Sequence, residues 1–274
     1  VVKTSVRLAH RFRISEFNMG FFILGLATTT PELFIGIQSV IDGEPQLSLG
    51  NLIGASIVLL TLIIGLNAVV SGEVHLIKSF SKKDMLLTSF VILSPIFLLI
   101  DGVLSRYDGL MLVVFYMLFY FVMNKEQTFA EHVKYSLSTP HNHIFKSALI
   151  LILGIVGLFI SSKFMVDSVE IIANAFSLPL VIVGLLMLSI GTNLPELTIL
   201  FTTLKNGHKE VGVGDFLGSA VANTPVLGFV ALLSPIQLDA PLKVFLSLGM
   251  LFLTLLTFNA YFSIDKKITR LEGA

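Results

Sequence analysis

Apolar segments long enough to cross a membrane recur along this chain, and they constrain its fold more than any other feature. They lie at about residues 17–41, 47–70, 85–100, 109–123, 144–162, 178–204, 211–236 and 240–262. A helix needs about 20 apolar residues to cross a hydrocarbon core of roughly 30 Å. The segments are continuously apolar and do not alternate with period two, which argues against a β-barrel. We predict an all-α membrane protein with eight transmembrane helices in this span.

Composition and charge support this class of protein. Only 13% of the residues are charged, well below the roughly 25% of soluble domains. If residues 1–13 lie on one side of the membrane, called side A, eight crossings place fifteen of the 18 basic residues there. They are Lys3, Arg7, Arg11, Arg13, Lys78, Lys82, Lys83, Lys125, Lys134, Lys146, Lys205, Lys209, Lys266, Lys267 and Arg270. Arg106, Lys163 and Lys243 fall on side B.

Cytoplasmic loops of membrane proteins carry an excess of Lys and Arg. We therefore predict that side A, with residues 1–13 and 124–143, is cytoplasmic. The membrane is expected to be a plasma membrane or a bacterial inner membrane.

An internal repeat appears when the sequence is shifted by 164 residues. Without a gap, Gly20, Thr28, Pro31, Glu32, Leu33, Gly43, Gly50 and Gly54 fall on Gly184, Thr192, Pro195, Glu196, Leu197, Gly207, Gly214 and Gly218. The same shift lays residues 105–109 on 269–273. We predict a first repeat at 1–110, connecting helices with a cytoplasmic loop at 111–164, and a second repeat at 165–274.

The topology makes this repeat inverted. Segment 17–41 crosses from side A to side B, whereas its counterpart 178–204 crosses from B to A. Inverted-topology repeats are a recurring plan of transporters, with the site near mid-membrane where the halves meet. Segments 109–123 and 144–162 have no counterpart in the other repeat. A symmetric protein would have ten helices, so we expect this span to lack the first and the last of a longer protein.

Glu32 and Glu196 occupy matching positions inside apolar segments. A charged side chain there costs about 2.5–3.5 kcal/mol on insertion scales and indicates a functional site with a partner. The structural alternative is a protonated glutamate that hydrogen-bonds a neighbouring helix. Two glutamates at symmetric positions disfavour that alternative, because the symmetry brings both to one place.

Pro31 and Pro195 directly precede the glutamates. Proline cannot donate the helical hydrogen bond, so the carbonyls of Ala27 and Gly191 are expected to be freed. For the prolines alone, a structural kink is the alternative. Each motif also contains a threonine, which is Thr28 in the first repeat and Thr192 in the second. Carboxylate, hydroxyl and carbonyl oxygens together suit a hard cation such as Ca²⁺.

The sequence disfavours other metals. There is no cysteine, and the six histidines all fall in predicted side-A loops. They are His10, His75, His132, His141, His143 and His208. A zinc or copper site at mid-membrane would need imidazole or thiolate ligands. We therefore expect none.

Each repeat has a second motif of small residues, at 50–56 and 214–220, with the GxxxG spacing that favours close helix packing. Asn51 and Asp215 are the matching polar residues of these motifs. Asp215 is expected at or just inside the side-A boundary. There it would either line an access path or interact favourably with a helix N-terminus.

Polar residues near the second motif are unequal between the repeats. Ser219 and Asn223 follow in the second repeat, and Asn223 is a candidate to face the glutamate pair. Ala55 and Leu59 stand at the matching positions of the first repeat. The second repeat is therefore expected to contribute more side-chain oxygens to the predicted site than the first.

These paired motifs, T-x-x-P-E-L and G-[ND]-x-x-G-[SA], resemble the two alpha repeats of the calcium/cation antiporter superfamily, which includes the sodium/calcium exchangers. The resemblance covers 1–110 and 165–274. It implies a ten-helix fold and exchange of Ca²⁺ for Na⁺, H⁺ or K⁺ by alternating access. It also implies that Glu32 and Glu196 are the acidic ligands of the central cation. Further oxygens would come from Thr28 and Thr192.

The resemblance also assigns flanking positions. Ser219 falls on a family serine that helps bind Na⁺, and Asn223 falls where sodium-coupled members often have an aspartate. Ala55 and Leu59 replace a serine and a polar residue. These departures would weaken the flanking Na⁺ sites while the carboxylate pair stays intact.

We therefore expect a secondary active antiporter that exchanges Ca²⁺, or a similar divalent cation such as Mn²⁺, for Na⁺ or H⁺. The lipid bilayer and the transported ions are its expected partners, with no organic cofactor and no nucleic acid, and a homo-oligomer is left open. A passive cation channel and a degenerate transporter that acts as a membrane sensor or scaffold are the alternatives. An intramembrane enzyme is disfavoured, because the segments contain no nucleophile–base pair.

Overall fold

A computed structural model describes residues 15–75, 81–124, 144–238, 241–264 and 267–270. They include eight long helices at the eight predicted segments. These are α1 (Met19–Ile41), α2 (Pro45–Ser71), α3 (Lys82–Leu98), α4 (Arg106–Asn124), α5 (Ile144–Phe176), α6 (Leu180–Asn206), α7 (Lys209–Leu233) and α8 (Pro241–Ile264). A short turn, Glu16–Asn18, precedes α1. Apart from Asn124, the predicted cytoplasmic stretches 1–13 and 124–143 lie outside the described residues.

In the part of the chain that the structure describes, α1, α2, α4, α6, α7 and α8 are long and apolar enough to cross a membrane. Helix α3 has 17 residues and is slightly shorter than the others. Helix α5 has 33 residues, so it extends well past the predicted segment 144–162. The prediction of an all-α membrane protein is confirmed.

Two short antiparallel ladders join loops between helices. Strand β1 (Glu73–His75) pairs with β4 (Lys267–Thr269), and β2 (Val103–Leu104) pairs with β3 (Ile236–Gln237). The predicted topology places both strands of the first ladder on side A and both strands of the second on side B. Each ladder thus joins segments that the eight-crossing topology assigns to one side.

Helices α1 and α6 are each broken near their middle. The breaks lie at Thr29 (φ −76°, ψ 0°) and Asn193 (φ −85°, ψ 8°). The second halves are α1b (Thr30–Ile41) and α6b (Leu194–Asn206), and the first halves, residues 19–28 and 180–192, are called α1a and α6a. Pro31 and Pro195 lie in the first turn of the second halves, where a missing N–H costs nothing. Each proline therefore begins a new helix after the break.

Glycines let the helices of opposite repeats approach closely. A Cβ atom at Gly50 or Gly54 of α2 would overlap backbone carbonyls of α6a. A Cβ atom at Gly214 or Gly218 of α7 would overlap the backbone carbonyl of Phe17, in the turn before α1, or that of Phe21 in α1a. The predicted close packing at the GxxxG motifs is confirmed. It joins each small-residue helix to the broken helix of the other repeat.

Both first halves contain a π-helical segment, Met19–Leu24 in α1a and Gly184–Leu188 in α6a. A third, Leu59–Ile63, lies in α2. Wider π turns are often found at functional sites. Here two of them lie directly before the broken segments that contain the glutamates.

Helix α5 covers one face of the bundle. It packs along α1b, and its Val166, Val169 and Ala173 form a buried cluster with Ile35 of α1b. Helix α5 therefore covers the face of α1b that contains Ile35.

Candidate cation-binding site

Two buried carboxylates lie at the starts of the two second halves. Glu32 is in the first turn of α1b and Glu196 in the first turn of α6b, and their exposed fractions are 2% and 1%. A helix N-terminus favours negative charge because its first N–H groups point outward and the helix dipole is positive there. The carboxylates repel each other electrostatically. The breaks therefore bring both charges into one region.

These carboxylates have few hydrogen-bond donors. Oε2 of Glu32 and both carboxylate oxygens of Glu196 are buried and have no hydrogen-bond partner. Unsatisfied buried charge is expensive unless it is paired. The arrangement is therefore suited to a cation.

The two repeats contribute crosswise. The Thr192 hydroxyl of the second repeat interacts electrostatically with Glu32 of the first. In return, the hydroxyls of Thr28 and Ser219 interact with Glu196. Each glutamate thus faces the threonine of the opposite repeat. All five residues were predicted site residues, and the structure brings them together.

Several oxygens surround the hydroxyl of Thr28. Its Oγ1 lies 2.8 Å from Ser219 Oγ, 3.3 Å from Asp215 Oδ1, 3.1 Å from the Leu24 carbonyl oxygen and 3.3 Å from that of Gly25. Ser219 Oγ is also 3.4 Å from the Gly25 oxygen. We call these five residues the Thr28 end of the site.

The matching place in the other repeat, the Thr192 end, is simpler. Thr192 Oγ1 lies 3.3 Å from Asn51 Oδ1 and 3.4 Å from the Ser189 carbonyl oxygen. Asn51 is fully buried, and its Nδ2 has no hydrogen-bond partner. Neither Asn51 nor Asp215 is exposed. Both lie inside the bundle, in contact with the site threonines.

Asn223 is oriented toward α2. Its Nδ2 donates to Ser56 Oγ at 3.1 Å and, at 3.5 Å, to the Leu52 carbonyl oxygen. The amide group therefore bridges α7 and α2, and no hydrogen bond links it to either glutamate.

Sequence reasoning missed three polar residues at the breaks. Thr29 Oγ1 donates to the Gly25 carbonyl at 2.6 Å, and Asn193 Nδ2 donates to the Ser189 carbonyl at 2.6 Å. Thr30 Oγ1 donates to the Ala27 carbonyl at 2.7 Å, so this predicted free carbonyl already has a partner. The sequence contained this signal, because the repeat aligns Thr29 with Asn193, each two residues before a proline.

A cavity of about 470 Å³ reaches the site from the surface. Its lining residues come from both broken helices: Leu24, Ala27, Thr28, Pro31, Pro195, Thr198, Ile199 and Thr202. Ala27, Pro195 and Thr198 are exposed, whereas Thr28 also belongs to the site. On α6b the lining extends from Pro195 to Thr202, toward the end of this helix that the predicted topology places on side A.

Neither histidine in the described part of the chain belongs to the site. His75 lies in β1 and His208 precedes α7, whereas the other four lie outside the described residues. In the described ranges, no group of three or more His, Cys, Asp or Glu side chains could hold a metal ion. A cation held by the glutamates would therefore need hydroxyl and carbonyl oxygens as well.

Comparisons with known proteins agree with this architecture. The family described as sodium/calcium exchanger protein matches residues 1–124 and 146–274. The uncharacterized membrane protein MJ0091 of Methanocaldococcus jannaschii is 27% identical over 219 residues, which are 80% of this chain and 71% of that protein. The sodium/calcium exchanger MaX1 of Methanosarcina acetivorans is 22% identical, over 99% of this chain and 89% of its own length.

A solved structure of the sodium-calcium exchanger NCX_Mj, soaked with Na⁺ and Sr²⁺, has the same fold. Its TM-score is 0.72 at 23% identity, and the match covers 99% of this chain and 87% of that chain. The predicted inverted-repeat transporter fold is thereby confirmed. The chain belongs to the sodium/calcium exchanger protein family, a family of integral membrane cation antiporters.

Proposed function

We propose that this protein exchanges Ca²⁺, or a similar divalent cation, for Na⁺ or H⁺ at Glu32 and Glu196 by alternating access. The observation that supports this most directly is the state of the two carboxylates. Both are buried at half-helix N-termini, and three of their four oxygens lack a hydrogen-bond partner. Cation sites of inverted-repeat transporters are typically built from broken helices near mid-membrane.

The charge balance of the carboxylate pair couples calcium transport to transport of the counter-ion. The ionised pair carries two negative charges, and one Ca²⁺, two Na⁺ or two H⁺ would each cancel them. An uncompensated charge at mid-membrane is costly. The empty pair therefore rarely changes sides, while a loaded pair does. Because the two kinds of cation use the same carboxylates, one must leave before the other binds, which gives obligatory exchange.

The crosswise contacts make the pair sensitive to rearrangement of the repeats. Glu32 interacts with Thr192 and Glu196 with Thr28, so relative movement of the repeats changes the surroundings of both carboxylates. In this mechanism, the cavity at Thr28 would serve as the water path to one side. Alternating access requires a second path, which would open at the Thr192 end when the first one closes.

Radioactive calcium flux into liposomes with the purified protein tests the proposal. We expect uptake of ⁴⁵Ca²⁺ to be driven by an outward Na⁺ gradient, by an outward H⁺ gradient, or by both. Glu32→Gln and Glu196→Gln should each reduce it by about 100-fold or more. A 100-fold loss corresponds to about 2.7 kcal/mol, just below the roughly 3–5 kcal/mol that an unpaired buried charge costs.

The matched control is Glu210→Gln, which makes the same change at an exposed position in the first turn of α7 and should leave uptake unchanged. Calcium flux that does not depend on any counter-ion would identify a channel. Normal exchange in both site variants would contradict the role of the pair.

A further inference from the structure

We propose that Asp42, Glu44 and Glu170 form an entry site on side B, which collects hydrated divalent cations and passes them along Gln38 to the glutamate pair. The proposal deepens the function proposed above and rests on it. It assigns the apparent affinity for calcium on side B to carboxylates that lie outside the buried site.

Glu170 lies near the side-B end of α5, beyond the predicted membrane segment. Its Oε1 is buried and has no hydrogen-bond partner. Asp42 and Glu44, from the turn between α1 and α2, repel it electrostatically, and so does Asp167. The opposing cation is Lys163, which pairs with Asp167 at 3.5 Å. Four negative charges and one positive charge therefore meet here, which leaves a net charge of −3.

Gln38 connects the acidic turn to the interior of α1b. Its exposed fraction is 2%, and its Nε2 donates to Asp42 Oδ2 at 2.8 Å, so the buried amide group points at the turn. Its Oε1 is buried without a hydrogen-bond partner, and an amide oxygen is a suitable ligand for Ca²⁺. Gln38 follows Glu32 by six residues in α1b, which corresponds to about 9 Å along the helix axis. It therefore lies between the glutamate pair and the acidic turn.

Local structure does not explain the acidic turn. The repeat aligns residues 42–44, DGE, with residues 206–208, NGH. The central glycines of the two turns have φ angles of 80° and 76°, so the same turn forms without a carboxylate. Asp42 also directly follows the last residue of α1, where the helix dipole favours positive charge. Neither the turn nor the helix therefore accounts for the charge of Asp42.

The cavity at the other end of the site shows how Gln38 would come to line a path. The repeat aligns the cavity-lining Ile199 and Thr202 of α6b with Ile35 and Gln38 of α1b. Helix α5 covers Ile35 in this structure. In the proposed cycle, opening of the second path would uncover this face of α1b. A cation from the acidic turn would then pass Gln38 on its way to Glu32.

The spacing of the carboxylates favours a hydrated cation over a tightly bound one. In the described ranges, no three acidic side chains are placed to ligate one metal ion directly. An ion held through water is attracted by the summed charge and leaves quickly, as an entry site requires. Clefts lined by charges of one sign raise the local concentration of the opposite ion. The same charges attract a divalent cation twice as strongly as Na⁺, so the entry site favours calcium.

Calcium dependence measured separately from each side tests the entry site. Right-side-out and inside-out membrane vesicles from cells that express the protein expose opposite sides. The readout is the ⁴⁵Ca²⁺ concentration that gives half-maximal initial uptake under a fixed counter-ion gradient. Asp42→Asn, Glu44→Gln and Glu170→Gln should each raise it about 2-fold to 5-fold on side B, and the triple variant about tenfold or more. On side A it should stay unchanged.

Asp101→Asn is the matched control, because it neutralises an exposed carboxylate of the α3–α4 loop, also on side B. It should leave the half-saturating calcium concentration unchanged. High ionic strength provides a second control. In about 1 M N-methyl-D-glucamine chloride the Debye length falls to about 3 Å. The wild type and the triple variant should then give the same value, whereas a loss of affinity through misfolding would persist.

The repeat also allows a gain-of-function test. Asn206→Asp/His208→Glu gives the turn on side A the two acids of the turn on side B. Asn206 lies next to the cavity, because its Nδ2 donates to the carbonyl of the cavity-lining Thr202 at 2.7 Å. The variant should lower the half-saturating calcium concentration on side A about 2-fold to 5-fold.

Four results would overturn the proposal. The first two are neutralised variants with wild-type calcium dependence on both sides, and variants with an equal change on both sides. The third is a difference between wild type and triple variant that persists at high ionic strength. The fourth is a transferred turn that leaves side A unchanged while the variant still exchanges calcium. A wild-type protein that exchanges no calcium under any gradient would instead contradict the proposed function itself, so the two failures are distinguishable.

Discussion

The Thr28 end and the Thr192 end of the site share a backbone design but differ in side chains and surroundings. At both ends a threonine lies just before a helix break and contacts a buried polar residue of a neighbouring helix at 3.3 Å. That residue is Asp215 at one end and Asn51 at the other. The internal repeat therefore preserves the geometry of the contact and changes its charge.

The surroundings of the two ends differ as well. The cavity reaches the half-buried Thr28, whereas Thr192 has an exposed fraction of 2%. Helix α5 packs against α1b on the face that corresponds, through the repeat, to the cavity-lining face of α6b. We interpret this unequal packing as one open and one closed end of the site. A cycle of alternating access would exchange these two conditions.

Accessibility to a water-soluble thiol reagent provides the largest expected difference between the ends. The chain has no cysteine, so single cysteines can be introduced without background. The repeat aligns Thr202, which lines the cavity, with Gln38, which has an exposed fraction of 2%. We expect Thr202→Cys to react about 100-fold faster than Gln38→Cys. An opening that costs about 2.8 kcal/mol lowers the rate by two decades.

The measurement is the rate of modification by a charged methanethiosulfonate reagent added to both sides of the membrane. Thr257→Cys on α8, exposed but outside the cavity, is the control for reaction at a lipid-facing position. Equal rates at positions 202 and 38 would contradict the assignment of one open and one closed end.

The two helix crossings at Gly54 and Gly218 provide a second comparison of the repeats. Here we expect the repeats to contribute equally to stability. Gly54→Ala and Gly218→Ala each place a Cβ atom against the backbone of the opposite broken helix. Overpacking of this kind costs about 1–3 kcal/mol. We expect both variants to lower the apparent melting temperature in detergent by similar amounts.

Gly157→Ala is the control, since no atom lies within 4 Å of a Cβ atom at that position in α5. It should leave the melting temperature unchanged or raise it slightly, because alanine favours a helix more than glycine does. A large loss of stability at only one of the two crossings would show that the repeats do not pack equivalently.

The eight helices and the proximity of the two glutamates were predictable from the sequence. Both follow from large free-energy costs, those of exposing long apolar segments to water and of burying a charge within the membrane. Long apolar segments have few alternatives to membrane helices. Charged residues inside such segments need a partner, and the 164-residue repeat predicted that Glu32 and Glu196 lie in one place. The helix breaks were also predictable from Pro31 and Pro195. Their position in the first turn of a helix, two residues after the break, agrees with the φ restriction of proline.

The direction of individual polar side chains was not predictable in the same way. Asn223 was expected near the glutamates, but its amide binds Ser56 and a carbonyl of α2. Asp215 was expected at a membrane boundary, but it is fully buried against Thr28. Both directions depend on how α7 is rotated about its axis against its neighbours, which it contacts closely at Gly214 and Gly218. A hydropathy pattern contains no information on this rotation.

The smallest expected effect concerns the hydroxyl that only one end possesses. Ser219 contacts Thr28 at 2.8 Å, whereas the matching Ala55 is buried without a polar atom in its side chain. Ala55→Ser should add an oxygen at the Thr192 end and tighten Na⁺ binding. A single hydrogen bond or ligand oxygen contributes about 0.5–1.5 kcal/mol, so the change should be about 2-fold to 12-fold.

The measurement is the Na⁺ concentration that halves ⁴⁵Ca²⁺ binding to the purified protein. Ser219→Ala should raise this concentration by a similar factor, and Ala68→Ser, a buried alanine elsewhere in α2, should leave it unchanged. If Ala55→Ser binds calcium normally with an unchanged response to Na⁺, the missing hydroxyl is not what distinguishes the two ends. The charge difference between Asp215 and Asn51 would then remain as the principal asymmetry of the site.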